Sequence, residues 1–187
     1  MRKVLVLIMV VLLGVTAFAL AGCDNTGKAK EAMKEADDAW TKANTQITEM
    51  SNILTEVLTP LMSGDTSALT KNADALNQAG AQIDAVTKEL ESVEELYDDL
   101  ANLNVGGYTE YADAMIKAIN ATIDALTVGK ELYAKMMPVI QTGDIAQMTA
   151  FLTQNTALLT QAQTAQQETE AAISAAEKIK TDKKLGQ

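Results

Sequence analysis

From Ala29 onward, apolar residues recur alternately four and three positions apart, and few structures can use that spacing. The series Ala29, Met33, Ala36, Trp40, Ala43, Ile47, Met50, Leu54, Val57 and Leu61 is an a/d seam. On a helix it draws one stripe down one side, and the stripe must be buried on a neighbour crossing at a shallow angle. No window shows the period of two that a half-buried strand needs. The composition points the same way. Ala, Leu, Met, Gln, Glu and Lys are abundant, only 4% of residues are aromatic, and there are two prolines. The expected class is all-α.

The seam passes through three interruptions. Pro60 should end or kink the first helix, after which Ser63-Gly64-Asp65 supplies a terminating glycine and an N-cap aspartate. A second seam runs through Leu69, Ala73, Leu76, Ala79, Ile83, Val86, Leu90, Val93, Tyr97 and Leu100, with one shortened step near Gly80. Asn104-Val105-Gly106-Gly107 breaks it, because paired glycines favour a turn over a helix. A third seam reads Ala112, Ile116, Ile119, Ile123, Leu126, Tyr133, Met137 and Ile140, and it ends as the first does, with Pro138 before Thr142-Gly143-Asp144. The last seam, from Ile145 through Met148, Leu152, Leu159, Ala162, Ile173 and Ala176, is thin in its Ala, Gln and Thr-rich second half.

These seams predict helices over about 29–62, 66–103, 109–141 and 145–181, within a domain at 29–182 followed by a tail at 183–187. Each helix would be about 50 Å long at about 1.5 Å per residue. Short connections between long helices make an up-down-up-down four-helix bundle. Ala36, Asp37, Trp40, Asn44 and Ile47 match Ala112, Asp113, Ile116, Asn120 and Ile123 at a constant offset. Duplication of a helical hairpin and chance similarity between amphipathic helices both account for that match.

Residues 1–22 follow a different logic. Met1, Arg2 and Lys3 precede an apolar run from Val4 to Leu20, broken only by Gly14 and Thr16, and Leu20-Ala21-Gly22-Cys23 ends it. A positive start, an apolar middle and small residues form an export signal, which takes no part in the fold. An uncleaved membrane anchor is the competing reading, at the lower limit of about 17 residues for a spanning helix.

Leu20, Ala21, Gly22 and Cys23 together resemble the lipobox of bacterial lipoproteins. The resemblance covers only residues 1–23. It implies that a dedicated peptidase reads Leu20, Ala21 and Gly22 and cuts before Cys23, which carries a diacylglyceryl group as the new N-terminus. Residues 23–28 would then be a lipidated start and a short linker. Two or more acyl chains anchor stably, since each buried methylene contributes about 0.8 kcal/mol. In lipoproteins of bacteria with two membranes, an aspartate after the cysteine, here Asp24, implies retention at the inner membrane.

Cys23 is the only cysteine, so no intramolecular disulfide can form and packing alone must hold the fold. The formal charge is −10, and removing Arg2 and Lys3 with the signal leaves 13 basic against 25 acidic residues, a net of −12. Such a surface repels nucleic acid, so no nucleic-acid role is expected. The chain has no histidine. Catalytic triads and histidine-ligated metal sites are therefore excluded, and nothing in the spacing points to a cofactor.

Six acidic residues, Glu89, Glu91, Glu94, Glu95, Asp98 and Asp99, close the second helix. They read as a solvated face or, less simply, as a collector of divalent cations. Lys178, Lys180, Lys183 and Lys184 suit the C-terminal end of a helix, contact with anionic lipid, or the acidic stretch across the bundle. Methionines at core spacing, such as Met115, Met136 and Met148, read as packing rather than copper ligands. Trp40, Tyr111 and Tyr133 are either core anchors or the walls of a pocket between helices. Lys130, in an otherwise apolar seam, marks either a buried polar site or a snorkelling side chain.

The expected function is therefore non-catalytic: a bundle held at the extracytoplasmic face of a bacterial membrane through lipidated Cys23, serving as an envelope scaffold or protein-interaction module. Another envelope protein is the expected partner, and self-association through a seam is an option. A small-molecule-binding or sensor module with a pocket between helices is the alternative.

Overall fold

The computed structural model describes the backbone of residues 2–62, 67–142 and 144–186. It describes side chains from residue 25 onward, except those of 54, 57–76, 143, 145, 148, 152 and 187. Every described element is an α-helix: α1 (Arg2–Met62), α2 (Ser67–Asn102), α3 (Gly106–Thr142), α4 (Ile145–Gln154) and α5 (Thr156–Asp182). The class is all-α, and the helices pack as in a bundle. Among the described residues, no helix is long and apolar enough to cross a membrane. The Ser63-Gly64-Asp65 joint and the side chains of Leu20 to Cys23 lie outside the described residues.

On α2 and along much of the described part of α1 the apolar stripes are buried where their spacing places them. On α2, all seven seam residues from Ala79 to Leu100 are buried, as are Ala29, Met33, Ala36, Ala43 and Met50 on α1. On α3 the stripe is wider than the seam. Tyr111, Met115 and Thr122 are buried, while Ile116 and Ile123 are only half-buried. The cause is tertiary, because α3 packs on both α2 and α5. On α5 only Leu158, Ala165 and Ala176 are buried, while Leu159, Ala162 and Ile173 of the expected seam are half-buried.

Ion pairs cross between neighbouring helices. Lys42 meets Glu89 at 2.5 Å across α1 and α2, Lys130 meets Asp84 at 2.5 Å across α2 and α3, and Lys183 meets Glu110 at 3.0 Å across α3 and α5. The spatial order is α1, α2, α3, α5. Among the described residues, α1 and α5 share no extended packed face.

Two local features depart from the sequence reading, and a third agrees with its bounds. Residues 23–28, expected as a linker, lie within α1. Pro138 lies inside α3, within the expected bounds of 109–141, and the helix continues to Thr142. A proline there has no N–H to give the Ala134 carbonyl one turn earlier, at the cost of one bond of the ladder. The stretch 145–181, expected as one helix, is divided at Asn155. The Asn155 side chain donates to the Phe151 carbonyl at 2.9 Å, and its own backbone N–H uses the same carbonyl at 3.0 Å. A short amide side chain that bonds the preceding turn competes with the helical ladder. Asp144 caps α4, accepting from the backbone N–H groups of Ala146 and Gln147 at 2.8 and 3.2 Å.

Two left-handed residues end helices on the same side of the bundle. Asn104, at φ 54°, follows α2 and opens the turn into α3. Lys184, at φ 52°, follows α5. Leu185 N–H donates to the Lys180 carbonyl and Lys184 N–H to the Thr181 carbonyl, the paired bonds of a Schellman motif. That turn lays Leu185 and Lys183 over Gly107, where an added Cβ would lie 3.2 to 3.3 Å from them.

Candidate functional site

The most organised polar cluster is at the end shared by the α2–α3 turn and the C-terminus. Asp37 on α1 is its centre. Tyr97 on α2 donates its hydroxyl to Asp37 Oδ1 at 2.7 Å, and Tyr111 on α3 donates to the same oxygen at 2.8 Å. Lys180 on α5 donates to Oδ2 at 2.7 Å. One carboxylate therefore receives a donor from each of the other three long helices. The Tyr97 and Tyr111 rings meet edge to face at 6.0 Å, and the Lys180 ammonium lies 5.5 Å from the Tyr111 ring centre. Both contacts follow the quadrupole of the ring.

Burial fixes the chemistry of this cluster. Tyr97 and Tyr111 are buried, while the Asp37 and Lys180 side chains keep 20% and 31% of their exposure. Burial pushes the Tyr97 hydroxyl far above its ordinary range, and the neighbouring Tyr111 and the Asp37 carboxylate push it further. Tyr111 is raised by burial and then by Asp37. Both phenols stay protonated donors. Among the described residues no buried side-chain polar atom lacks a partner. A cluster with its groups matched to each other acts as a brace.

Asp37 and Lys180 also form the inner wall of an open cleft of about 730 Å³ between α1 and the C-terminal turn, whose lining includes Lys30, Lys34, Met33 and Leu185. A second cleft, of about 490 Å³, lies farther along the unpacked α1 and α5 seam with α3 as its floor. A third, of about 450 Å³, lies between α3 and α5 around Val128 and Gln161.

The other residues singled out from the sequence fall as follows. Tyr111 is a core anchor, and Trp40 is half-buried against the core. Tyr133 is half-buried on α3, its ring seated against Gly80, where a Cβ would come 2.5 Å from Cε1. Burial raises its hydroxyl, and a backbone hydrogen bond with Gly80 partly offsets that. The shortened step in the α2 seam is thus where α2 leaves room for this ring. None of the three clefts is lined by Trp40, Tyr111 or Tyr133. Lys130 is exposed and paired with Asp84. It marks no buried polar site.

Three of the four C-terminal lysines pair outside the acidic stretch. Lys180 meets Asp37, Lys183 meets Glu110, and Lys178 pairs with Asp182 along the helix. Within that stretch, Glu89 pairs with Lys42 and Glu94 accepts from Asn120. Among the described residues no group of three or more carboxylates is placed to hold a metal ion. Met33, Met50, Met115 and Met136 are buried in the packing. Asp37 and Asp113, equivalent under the 76-residue offset, differ in use: Asp113 is exposed.

Sequence reasoning placed Asp37, Tyr97 and Lys180 in helices but did not bring them together. The available signal was chemical: Asp37 follows the seam residue Ala36, and a tyrosine hydroxyl buried at seam position 97 needs an acceptor. In comparisons with protein-family models, curated proteins and solved structures, the chain matched none.

Proposed function

We propose that this chain is a lipid-anchored extracytoplasmic lipoprotein whose non-catalytic helical bundle serves as an envelope scaffold or protein-interaction module. The observation that carries the proposal is Leu20-Ala21-Gly22-Cys23, placed at the end of an apolar run and containing the chain's only cysteine. Four long helical segments in up-down-up-down order are part of the same reading, supported by contacts of opposed numbering, Lys42–Glu89 with Asp37–Tyr97 between α1 and α2, and Lys130–Asp84 with Asn120–Glu94 between α2 and α3. Asp37 is 14 residues beyond Cys23, about 21 Å along a helix at about 1.5 Å per residue. The braced end would then face the bilayer, with the far ends of α1 and α3 away from it. A brace whose groups satisfy one another suits a load-carrying element better than a reaction centre. The partner in this reading is another envelope protein or a second copy. The net charge of −10 disfavours nucleic acid.

The test is metabolic labelling with an alkyne fatty acid, followed by membrane fractionation. Wild-type protein is expected to carry the label and sediment with membranes. Cys23→Ser should lose the label and accumulate as unprocessed precursor or be released. A processed, firmly tethered Cys23→Ser protein would end the proposal. The second reading, a small-molecule-binding module, is favoured by one observation, the unpacked seam between α1 and α5.

A further inference from the structure

The two edge helices, α1 and α5, are fastened to each other at one end. Lys180 on α5 donates to Asp37 on α1 at 2.7 Å, and just past it a Cβ at Gly186 would lie 2.9 Å from the methyl of Met33. Farther along, the same helices are parted by the cleft of about 490 Å³, and among the described residues they share no extended packed face. A pair of rods closed at one end and open at the other can hinge.

Burial sets these two helices apart from the two between them. Among the described residues, the largest fully buried side chains, such as Leu90, Tyr97, Leu100, Tyr111, Ile119 and Ile140, all belong to α2 and α3. The buried residues of α5 are Leu158, Ala165 and Ala176, and those of the described part of α1 are three alanines and two methionines, with Trp40 and Ile47 half-buried beside them. Stabilisation follows the apolar area that a helix removes from water, so releasing an edge helix costs less than parting α2 from α3. Segments with few buried apolar contacts open locally, below the free energy of global unfolding.

We infer that α1 and α5 are jaws on a persistent α2–α3 hairpin, clasped to each other at Asp37 and Lys180 and parting along the seam beyond the clasp. Opening there widens the seam above α3 and leaves the α2–α3 pair intact. This motion lies outside the scaffold reading and occurs whether or not Cys23 is acylated.

The test is amide hydrogen exchange of the full-length chain, purified in a nonionic detergent and read by mass spectrometry of overlapping peptic fragments. End fraying and the clasp give opposite orders within α5. Fraying makes the last turn of a helix, here the turn that holds Lys180, exchange fastest. The clasp should instead make residues 176–182 of α5 and 33–40 of α1 exchange more slowly than 158–170 and 44–53, with 83–100 of α2 and 112–126 of α3 slowest of all. Lys180→Met should speed exchange of 176–182 about twofold to fivefold, the range of one partly exposed ion pair, and leave α2 and α3 unchanged. Lys178→Met, whose partner Asp182 lies on the same helix, should change it about twofold or less. Faster exchange in 176–182 than in 158–170, equal protection in all four long helices, or an equal effect of Lys180→Met on all four would each overturn the inference. Cys23-dependent fatty-acid labelling is scored separately, so failure here leaves the anchoring proposal standing.

Discussion

The hydroxyl of Tyr97 lies 2.7 Å from Asp37 Oδ1, across sixty residues of chain. Tyr111 reaches the same oxygen from 74 residues away and Lys180 reaches Oδ2 from 143. An apolar seam tolerates sliding, since one leucine contact resembles the next. A carboxylate with three donors from three helices does not, because a slip of one turn, about 5.4 Å, would strand it and two phenols. Asp37 therefore specifies the register of α1, α2, α3 and α5 at this end.

The two sides of the Asp37 and Lys180 ion pair should be unequal. Asp37→Ala removes the acceptor for two buried phenols and should lower stability by about 2 kcal/mol or more. Lys180→Met removes one partly exposed cation and keeps most of the stem, so about 1 kcal/mol or less is expected. Urea denaturation followed by circular dichroism measures both. A larger loss in the lysine variant would show that the ion pair, not the phenol bonds, holds the cluster.

Alkaline pH should weaken the fold through the same tyrosines. Their folded values lie above the ordinary value of 10.0, so above about pH 10 the unfolded chain releases protons that the folded chain retains. Sign and window follow from that: this stabilisation is complete below pH 10 and is lost as pH rises beyond it, at about 1.4 kcal/mol per pH unit for each tyrosine. Tyr97→Phe should cost about 1 kcal/mol at pH 7 and show a shallower decline between pH 10 and 11.5. Parallel declines in the variant and the wild type would contradict the argument.

Gly80 and Tyr133 should be coupled with opposite signs. Alanine at position 80 of α2 gains about 1 kcal/mol of helix propensity but places a Cβ 2.5 Å from the Tyr133 ring. In the wild-type background Gly80→Ala should therefore be neutral or destabilising. In a Tyr133→Ala background the clash is gone, and the same substitution should stabilise. A double-mutant cycle on melting temperature reads the difference. Additive effects would place the ring elsewhere.

Lys184 adopts φ 52° at the end of α5, a conformation that glycine accepts without strain. Lys184→Gly should raise stability by about 0.5 to 1 kcal/mol while keeping both Schellman hydrogen bonds. Lys184→Val should lower it. A thermal melt separates these outcomes, and equal melting temperatures would mean that the turn is not formed in solution.

Much of the helical layout was legible because it is local. The α2 seam from Ala79 to Leu100 is buried position by position, the turn at Asn104 falls where two glycines follow, and Asp144 caps α4 from its place before Ile145. The division at Asn155 was legible only in part. Asparagine disfavours helix interiors, but whether its side chain turns back on Phe151 depends on how α4 and α5 lie on α3.

The amino-acid sequence by itself determined that this chain is helical, and which face of α2 and of the described part of α1 goes inward, because a repeat of three and four residues acts within a single helix. Only the tertiary structure decided that Asp37 meets Tyr97, Tyr111 and Lys180, that Lys130 stays at the surface with Asp84, and that α1 and α5 leave a seam between them. Those outcomes depend on the rotation and axial position of one helix against another. Contacts made between chain segments 46 to 143 residues apart set both, and no spacing within a segment encodes them.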